Sequence, residues 1–468
     1  MYQNLLEGLE VSVVPLGEIV SCERFDSEYY RKTLRSYQAK ITSIEHKTLE
    51  EIADFLIGPF GSAFNTENYV ENGKYRYVRG KDVKPFILAN NDNRYVPKED
   101  YFRLNKYALR EKDILVSVVG TLGNACIVTR NDLPAIFSCK SSVIRCRETN
   151  PYFLLAYLNC KNGKQLLARN ERGANQKGLN LPDIQKLPVP IFSSDFQEVI
   201  SNIVCLAYDK SANSGGEYHK AENLLLHELG LTDHTPSNEQ ISIRSIRDIA
   251  QTGRIDAEYY QPKYDAFEKT IKEYENGYTT PGSSFELIKT KCLRDLPEYP
   301  YVEIGDIDIG TGSAEYHIIP TSKLPANAKI MTQKDDLIVS TVRPYRGAVA
   351  ILKENDLLVS GAFTVLRSKS CYPVQTLQVL FRTQLYKDWL LKYNVGTSYP
   401  VIKDEDILNI PIPVFKNEIH DRVKEYVCNS QEMIIRSKEL LECAKRAVEM
   451  AIEQDEESAI QYLNSQLQ

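Results

Sequence analysis

The feature that most constrains this fold is an internal repeat at an offset of about 220–230 residues, because a repeat fixes the architecture before any single element does. The matched segments, in chain order, are FDSEYY 25–30 with IDAEYY 255–260, KDILVS 112–117 with DDLIVS 335–340, and LPVPIF 187–192 with IPIPVF 410–415. The matches keep their order and nearly their spacing. We therefore expect two copies of one domain; the alternative is two β-rich domains that share only generic strand patterns.

Each copy predicts the same order of elements. A helical lead-in holds the Glu-Tyr-Tyr segment, and short runs rich in Val, Ile and Leu follow it, which favour strands. The predicted strands are 113–119, 125–128, 337–342 and 348–352, and the predicted helices after them are 152–169 and 373–393. Pro-x-Pro segments then close each β-rich part as extended chain, because proline can neither continue a helix nor donate to a strand ladder. The predicted fold class is α+β.

A long helix is predicted after each β-rich part. In the second copy, apolar residues at three- and four-residue spacing predict a coiled-coil-like helix from about 417 to 463, roughly 70 Å long at 1.5 Å per residue. The same kind of stripe follows residue 193 in the first copy, but Gly215 and Gly216 interrupt it. Two adjacent glycines cost about 1 kcal/mol each in a helix, so we expect a kink or break near 213–216.

The net charge of −6 hides an uneven distribution. Residues 73–112 carry about eleven basic against five acidic side chains, with tyrosines between them, whereas residues 417–468 carry about eleven acids and six bases. Basic side chains neutralise phosphates, and arginine can bond a guanine edge at two points, so the β-rich parts favour a nucleic acid. The acidic helix is expected to face protein or solvent. For any single lysine, ordinary solvated surface remains the alternative.

The sequence offers no catalytic constellation. The string 306–313, DIDIGTGS, resembles an S-adenosylmethionine turn, but Pro320 follows soon and no alternation of strands and helices surrounds it, so we expect a surface loop. The string 150–153, NPYF, lacks the second proline of amino-methyltransferases. The six histidines and ten cysteines form no H-E-x-x-H or C-x-x-C pattern. We therefore expect a non-catalytic chain that holds no cofactor and no metal.

Two further patterns concern location. The chain has no run of about 18 apolar residues, and its N-terminus has no basic region before an apolar stretch. The cysteines are scattered singly, which is typical of a reducing compartment. We therefore expect a cytoplasmic protein with no membrane partner.

Taken together, these residues resemble the specificity (S) subunit of type I restriction–modification systems, over nearly the whole chain. The segments that carry the resemblance are GPFGSAF 58–64, GANQKGLNL 173–181 and RIDAEYYQP 254–262. Each segment alone is weak evidence for the resemblance. Their specificity comes from the duplication and from the heptad-like helices that follow each copy.

The resemblance implies two repeated β-rich target-recognition domains, each followed by a long helix, with the helices packing as an antiparallel coiled-coil spacer. Each domain would recognise one half of a bipartite, asymmetric double-stranded DNA target. The subunit would recruit methyltransferase (modification) subunits, which supply the chemistry, and in some complexes a translocating restriction subunit. One departure concerns the recognition loops: Gln176 has no counterpart in the second copy, where GTSYPVI 396–402 stands instead.

The resemblance also sets the expected boundaries. The first target-recognition domain with its lead-in is expected at 1–192, the first spacer helix and linker at 193–240, the second domain at 241–415, and the second spacer helix at 416–468. DNA contacts are assigned to polar and basic loop residues. In the first domain these are Ser62, Arg79, Lys81, Asn124, Lys140, Arg172, Gln176 and Lys177, and in the second Arg343, Tyr345, Arg346, Ser398 and Tyr399.

Two other classes of function stay open at the level of sequence. One is a DNA methyltransferase with unrecognised motifs, which binding of S-adenosylmethionine by the isolated chain would support. The other is a repeat-built protein-interaction scaffold. Salt-dependent DNA binding, which follows from phosphate neutralisation, would argue against the scaffold.

Overall fold

The computed structural model describes residues 10–59, 63–70, 73–90, 93–173, 176–232, 241–369, 372–396 and 399–467. The chain divides into two compact units. Unit 1 comprises residues 1–210 and 436–468, and unit 2 comprises residues 211–435. Two helices are therefore shared, because each begins in one unit and ends in the other: α8, Ser194–Glu228, and α15, Asn417–Glu453.

The elements before α8 belong to unit 1. Its helices are α1 (Leu16–Cys22), α2 (Lys32–Thr42), α3 (Leu49–Ile52), α4 (Lys98–Arg103), α5 (Pro151–Asn159), α6 (Lys161–Arg169) and α7 (Leu181–Gln185). Its strands are β1 (His46–Thr48), β2 (Ala53–Ile57), β3 (Tyr75–Val78), β4 (Tyr95–Val96), β5 (Ile114–Ser117), β6 (Ala125–Ile127), β7 (Ala135–Phe137), β8 (Ser141–Cys146) and β9 (Pro188–Pro190).

The elements between α8 and α15 belong to unit 2. Its helices are α9 (Ile246–Thr252), α10 (Pro262–Lys272), α11 (Pro281–Ser284), α12 (Val374–Arg382), α13 (Gln384–Leu391) and α14 (Asp404–Asn409). Its strands are β10 (Tyr278–Thr279), β11 (Phe285–Leu287), β12 (Glu298–Val302), β13 (Ile307–Asp308), β14 (Ser313–Ala314), β15 (His317–Pro320), β16 (Ala328–Met331), β17 (Leu337–Ser340), β18 (Val349–Ile351), β19 (Leu358–Ser360), β20 (Phe363–Ser368) and β21 (Ile412–Pro413). Helix α16 (Glu456–Leu467) follows α15 and belongs to unit 1.

The two units share the strand order of their first sheet and the parallel pair of their second, which has three strands in unit 1 and four in unit 2. Unit 1 has an antiparallel sheet of order β2-β8-β5-β6, and unit 2 has the same sheet as β11-β20-β17-β18. A second sheet is built around one parallel pair, β3 with β7 in unit 1 and β12 with β19 in unit 2. The Pro-x-Pro segments form β9 and β21, which pair antiparallel with β1 and β10. The α+β fold with a duplicated β-rich domain is confirmed.

The same buried ion pair braces the first sheet of each unit. In unit 1 the carboxylate of Asp113 accepts two bonds from the guanidinium of Arg145, at 2.8 and 3.0 Å. In unit 2 Asp336 accepts two bonds of 2.8 Å from Arg367. Both carboxylates are buried. A buried charge is stable only when its partner and further hydrogen bonds hold it, so each pair fixes the strand end that carries it.

The lead-ins of the two units share an arginine–aspartate ion pair and an arginine–tyrosine ring contact. Arg24 pairs with Asp26 at 2.6 Å, and its guanidinium lies 4.6 Å from the ring centre of Tyr29. Arg254 pairs with its own aspartate in unit 2 and lies 4.8 Å from the ring of Tyr259. The Glu-Tyr-Tyr segment itself forms a turn between two helices rather than part of a helix, because a neighbouring aspartate side chain accepts a backbone N–H there.

Of the kink or break expected near 213–216, the break is wrong, because helix α8 continues through both glycines. Its residues beyond them, among them Tyr218 and Leu225, are buried in the same apolar cluster as Val423 and Val427 of α15. Packing of an amphipathic face usually outweighs intrinsic helix propensity, which explains why the glycines do not end the helix.

The shared helices run antiparallel within each unit. In unit 1 the hydroxyl of Ser437 donates to the carbonyl of Ala207 at 2.7 Å, while the backbone N–H of Ser193 donates to Glu456 at 2.9 Å. In unit 2 the ammonium of Lys220, on α8, lies 5.9 Å from the ring of Tyr426. The sum of the paired residue numbers stays nearly constant, as antiparallel packing requires.

The single helix expected over 417–463 is two helices. Helix α15 ends at Glu453, and Asp455 then accepts the backbone N–H of Ser458 at 2.7 Å at the start of α16. Aspartate is a preferred residue at helix N-termini because its carboxylate satisfies an otherwise unpaired N–H. At 37 residues, α15 spans about 55 Å. Among the helices in the described ranges, none is long and apolar enough to cross a membrane.

Candidate nucleic-acid interface

Three loops of unit 1 are tied together by backbone hydrogen bonds. The first, residues 118–124, follows β5 and is here called the β5 loop. The N–H of Val118 donates to the carbonyl of Lys140 at 2.9 Å, and the N–H of Leu179 donates to the carbonyl of Val118 at 3.0 Å. The β5 loop is therefore held between the turn at Lys140 and the 172–180 loop.

The 172–180 loop is closed by its own backbone, and among its described residues it exposes Gln176 and Lys177. The backbones of Arg172 and Gly178 exchange two hydrogen bonds of 2.8 Å, which close the loop. Gly173 has a φ of +104°, and a Cβ there would lie 2.3 Å from the carbonyl oxygen of Gln176, so only glycine fits. Gln176 and Lys177 are both exposed, and Lys177 pairs with Glu171 at 3.1 Å.

The turn that carries Arg79 and Lys81 packs beside the turn at Lys140. A Cβ on Gly80 would lie 2.8 Å from the Cβ of Lys140, so the two turns are in direct contact. Lys81 and Lys140 are both exposed. The guanidinium of Arg79 donates to both carboxylate oxygens of Asp82, at 3.0 and 2.9 Å, which braces its own turn.

Unit 2 brings together the equivalent loops. The N–H of Ile402 donates to the carbonyl of Thr341 at 2.9 Å, and the N–H of Arg343 donates to the carbonyl of Pro400 at 2.8 Å. The guanidinium of Arg343 lies 5.7 Å from the ring centre of Tyr399. The contact between Thr341 and Ile402 repeats the contact between Val118 and Leu179 in unit 1. The two loops occupy the same place in the repeated fold.

The side chains on this shared framework differ between the units. The unit 2 loop after β17 carries Arg343, Tyr345 and Arg346, and Tyr345 and Tyr399 are 40% and 49% exposed. The unit 1 face instead carries amide and lysine side chains, among them Gln176. Loops at equivalent places in the two units therefore present two different chemical surfaces.

The structure places the predicted contact residues unevenly. Ser62 and Ser398 lie outside the described residues. Arg172 forms a bidentate pair with Asp183, at 2.6 and 2.8 Å, and this side-chain hydrogen bond raises the pKa of Arg172. A base contact by Arg172 or by Arg79 would require its carboxylate pair to open. The remaining predicted residues lie on the loops described above, and their contacts with DNA stay predictions.

Part of the predicted basic surface belongs to the core. Arg76 is 5% exposed and donates to Asp132 at 2.9 Å and to Asn90 at 2.6 Å. Its guanidinium cannot neutralise a phosphate while it is buried in this pair. The charge count over residues 73–112 therefore overstates the cationic surface.

Lys164, which lies on α6 under the β5 loop, was not among the residues predicted from the sequence. Its ammonium donates to the carbonyl of Gly123 at 2.7 Å and to the side-chain oxygen of Asn124 at 3.0 Å. Burial, with a smaller effect from Lys445, lowers the pKa of Lys164 to about 8. From the sequence, a lysine in a basic stretch is expected to be solvated. The contact of Lys164 with the β5 loop becomes evident only in the tertiary structure.

The glycine string expected to be a surface loop joins two short strands, β13 and β14. Gly312 there has a φ of +70°, and the string does not open a helix, so it lacks the N–H cradle of a nucleotide site. In the part of the chain that the structure describes, no group of three or more His, Cys, Asp or Glu side chains is placed to hold a metal ion.

Comparison with solved structures returns restriction–modification proteins. One is the crystal structure of a type I restriction–modification S subunit from M. genitalium, with 14% identity, a TM-score of 0.38, and coverage of 87% of this chain and 94% of that one. Another is the HsdS subunit from Thermoanaerobacter tengcongensis, with 13% identity, a TM-score of 0.28, and coverage of 88% and 97%. A search of curated protein sequences matches none.

The family model described as "Type I restriction modification DNA specificity domain" matches residues 42–212 and again residues 258–423. The matches fall once in each copy of the repeat and together cover well over half of the chain. The predicted resemblance is confirmed: the chain belongs to the family of type I restriction–modification DNA specificity subunits, which recognise DNA.

Proposed function

We propose that the chain recognises a bipartite, asymmetric duplex target, with each unit contacting one half. It does so within a complex whose separate methyltransferase subunits carry out the chemistry, and to which a translocating restriction subunit can be added. The chain itself catalyses no step. The observation that carries this proposal is the pair of loop sets that occupy equivalent places in the two units and differ in their side chains.

The side chains of the two loop sets suit different base edges. The amide of Gln176 can form paired bonds with adenine, whereas Arg343 and Arg346 can do so with guanine. Lysines such as Lys177 act as point charges toward phosphate, which fixes position without specifying sequence. Two unlike surfaces would select two unlike half-sites, so the preferred target would not be a palindrome.

The test is a selection from a random duplex pool by the full chain in complex with a methyltransferase subunit that binds it. We expect two specified blocks that differ in sequence, separated by an unspecified gap of fixed length. Enrichment of one block, of a palindrome, or of no sequence would overturn the proposal. Binding should also weaken steeply with salt, in proportion to the phosphates neutralised.

The non-catalytic role has its own measurement. The chain alone, mixed with labelled S-adenosylmethionine and a selected duplex, should transfer no methyl group, and transfer should appear when the methyltransferase subunit is added. Methyl transfer by the purified chain alone would instead favour the methyltransferase alternative. A methyltransferase carrying a substitution at its own catalytic residue serves as the control for contaminating activity.

A further inference from the structure

The side chain of Lys164 connects helix α6 to the β5 loop. Its two hydrogen bonds, to Gly123 and Asn124, bind one backbone and one side-chain oxygen at the end of the loop. In the part of the chain that the structure describes, no carboxylate pairs with this ammonium. The two hydrogen bonds of Lys164 therefore hold the loop and do not neutralise a buried carboxylate.

The β5 loop also closes on itself and packs against α6. The N–H of Gly123 donates to the carbonyl of Ser117 at 2.9 Å, and the N–H of Asn124 donates to the hydroxyl of Ser117 at 3.0 Å, which closes the loop. Gly123 has a φ of +70°, and a Cβ there would lie 3.3 Å from the Cβ of Leu167. The end of the loop thus rests directly on α6, with Lys164 as its polar link.

Unit 2 places a lysine at the same position on a diverged sequence. Helix α13, QLYKDWLL, takes the place of α6, KNGKQLLAR, and Lys387 takes the place of Lys164. Gly347, at the end of the equivalent loop, also has a φ of +70°, and a Cβ there would lie 3.0 Å from the Cδ of Lys387. Burial lowers the pKa of both lysines. A partly buried lysine therefore lies under the same glycine in both copies.

A desolvated ammonium without a carboxylate partner lowers the stability of the folded state. An apolar side chain of similar length would avoid that loss. Residues that break a local rule of stability in this way are expected at functional positions. Lys164 lies under a loop of the candidate interface. A role in that interface would explain why a destabilising buried ammonium is present there.

We propose that Lys164 is a positioning residue that sets the β5 loop for base recognition in the first half-site, and that Lys387 does the same for the second. The proposal rests on the function proposed above, because it assumes one half-site per unit. Neither lysine needs to touch DNA. Loss of Lys164 should release Asn124 and the end of the β5 loop while the sheet beneath stays folded.

The experiment repeats the duplex selection with the complex carrying K164M, K164R or K387M. For K164M we expect preferences in the first half-site to fall roughly 5–100-fold, the range of one lost base contact, with the second half-site unchanged. K387M should show the opposite pattern. K164R keeps a cationic donor and should retain more of the preference than K164M. K161M, an exposed lysine on the same helix, controls for loss of positive charge and should leave both half-sites unchanged.

The outcomes separate positioning from stability and from the proposed function. A merely structural role predicts a lower melting temperature for K164M and weaker binding to both half-sites; we expect a melting temperature equal to or above that of wild type. Unchanged preferences in K164M, or equal loss in both halves, would overturn the inference alone. A wild-type complex that enriches no two-block motif would overturn the proposed function and this inference with it.

Discussion

Replacing Gly215 and Gly216 by alanine should stabilise helix α8. Both glycines lie inside the helix, and neither has a positive φ. A Cβ at either position would meet nothing within 4 Å, so the substitution introduces no clash. Glycine costs about 1 kcal/mol relative to alanine in a helix interior, so G215A/G216A should gain about 2 kcal/mol.

Native-state hydrogen exchange is the appropriate assay, because a chain of two units need not unfold in one step. Amides at 211–220 should become about 30-fold more protected, which is the equivalent of 2 kcal/mol. Gly230→Ala is the matched control of opposite sign. Gly230 has a φ of +66° at the end of α8, where the N–H of Leu231 donates to the carbonyl of Leu226 at 2.8 Å. Alanine there should lower stability by about 1 kcal/mol.

The glycine prediction has a clear refutation. If the helix were broken at the pair, alanine would have to force a new conformation on the chain. Protection at 211–220 would then fall or stay the same in G215A/G216A. That result would contradict the conclusion that packing against α15 keeps α8 helical at Gly215 and Gly216.

Three further predictions concern the loops and the core. Gln176→Ala should relax one position of the selected target, whereas Lys177→Ala should weaken all sequences alike and reduce the salt slope by about one, as measured by binding titrations in increasing salt. Arg145→Ala strands the buried carboxylate of Asp113, which otherwise accepts only a backbone N–H, and should destabilise unit 1 by about 3 kcal/mol in urea denaturation. The pKa of Lys164 is lowered from 10.5 to about 8, so its stability penalty is full below pH 8 and fades as pH rises toward 10.5. As pH rises from about 7.5 to 9.5, the free energy of unfolding of wild type should therefore increase by about 2 kcal/mol relative to that of K164M.

Each of these has a result that contradicts it. A change at several target positions in Gln176→Ala would indicate a collapsed loop rather than a lost base contact. For the ion pair, R367A should destabilise unit 2 to a similar extent, and a neutral effect of both variants would refute the buried-pair argument. If the difference in free energy of unfolding between wild type and K164M stayed constant with pH, the ammonium of Lys164 would not be desolvated.

Much of the fold follows from local sequence. The strand runs, the extended Pro-x-Pro segments and the paired Arg-x-Asp lead-ins have local signals, and the repeat shows them twice. The helix ends were harder to predict. The split of the helix expected over 152–169 falls at Cys160, and a Cβ on Gly163 would lie only 2.1 Å from the carbonyl of Tyr157. That close approach is a tertiary constraint without a local sequence signal.

The candidate interface was predictable as a set of loops and less so as a set of side chains. The motif GANQKGLNL indicated the 172–180 loop, and its glycine requirement at Gly173 is now explained by the close approach to Gln176. The charge pattern could not tell which cations are available. Arg76 and Lys177 look alike in the sequence, yet one is buried against Asp132 and the other is exposed.

The sequence by itself determined that one domain occurs twice, that each copy is β-rich with a helix after it, and that its loops differ between copies. Order, spacing and periodicity encode those properties within short windows. The tertiary structure alone decided that α8 is unbroken, that Arg76 is buried against Asp132, and that Lys164 contacts a loop from beneath. These properties depend on burial and on partners far away in the chain, because desolvation and long-range packing set the free energy of each charge.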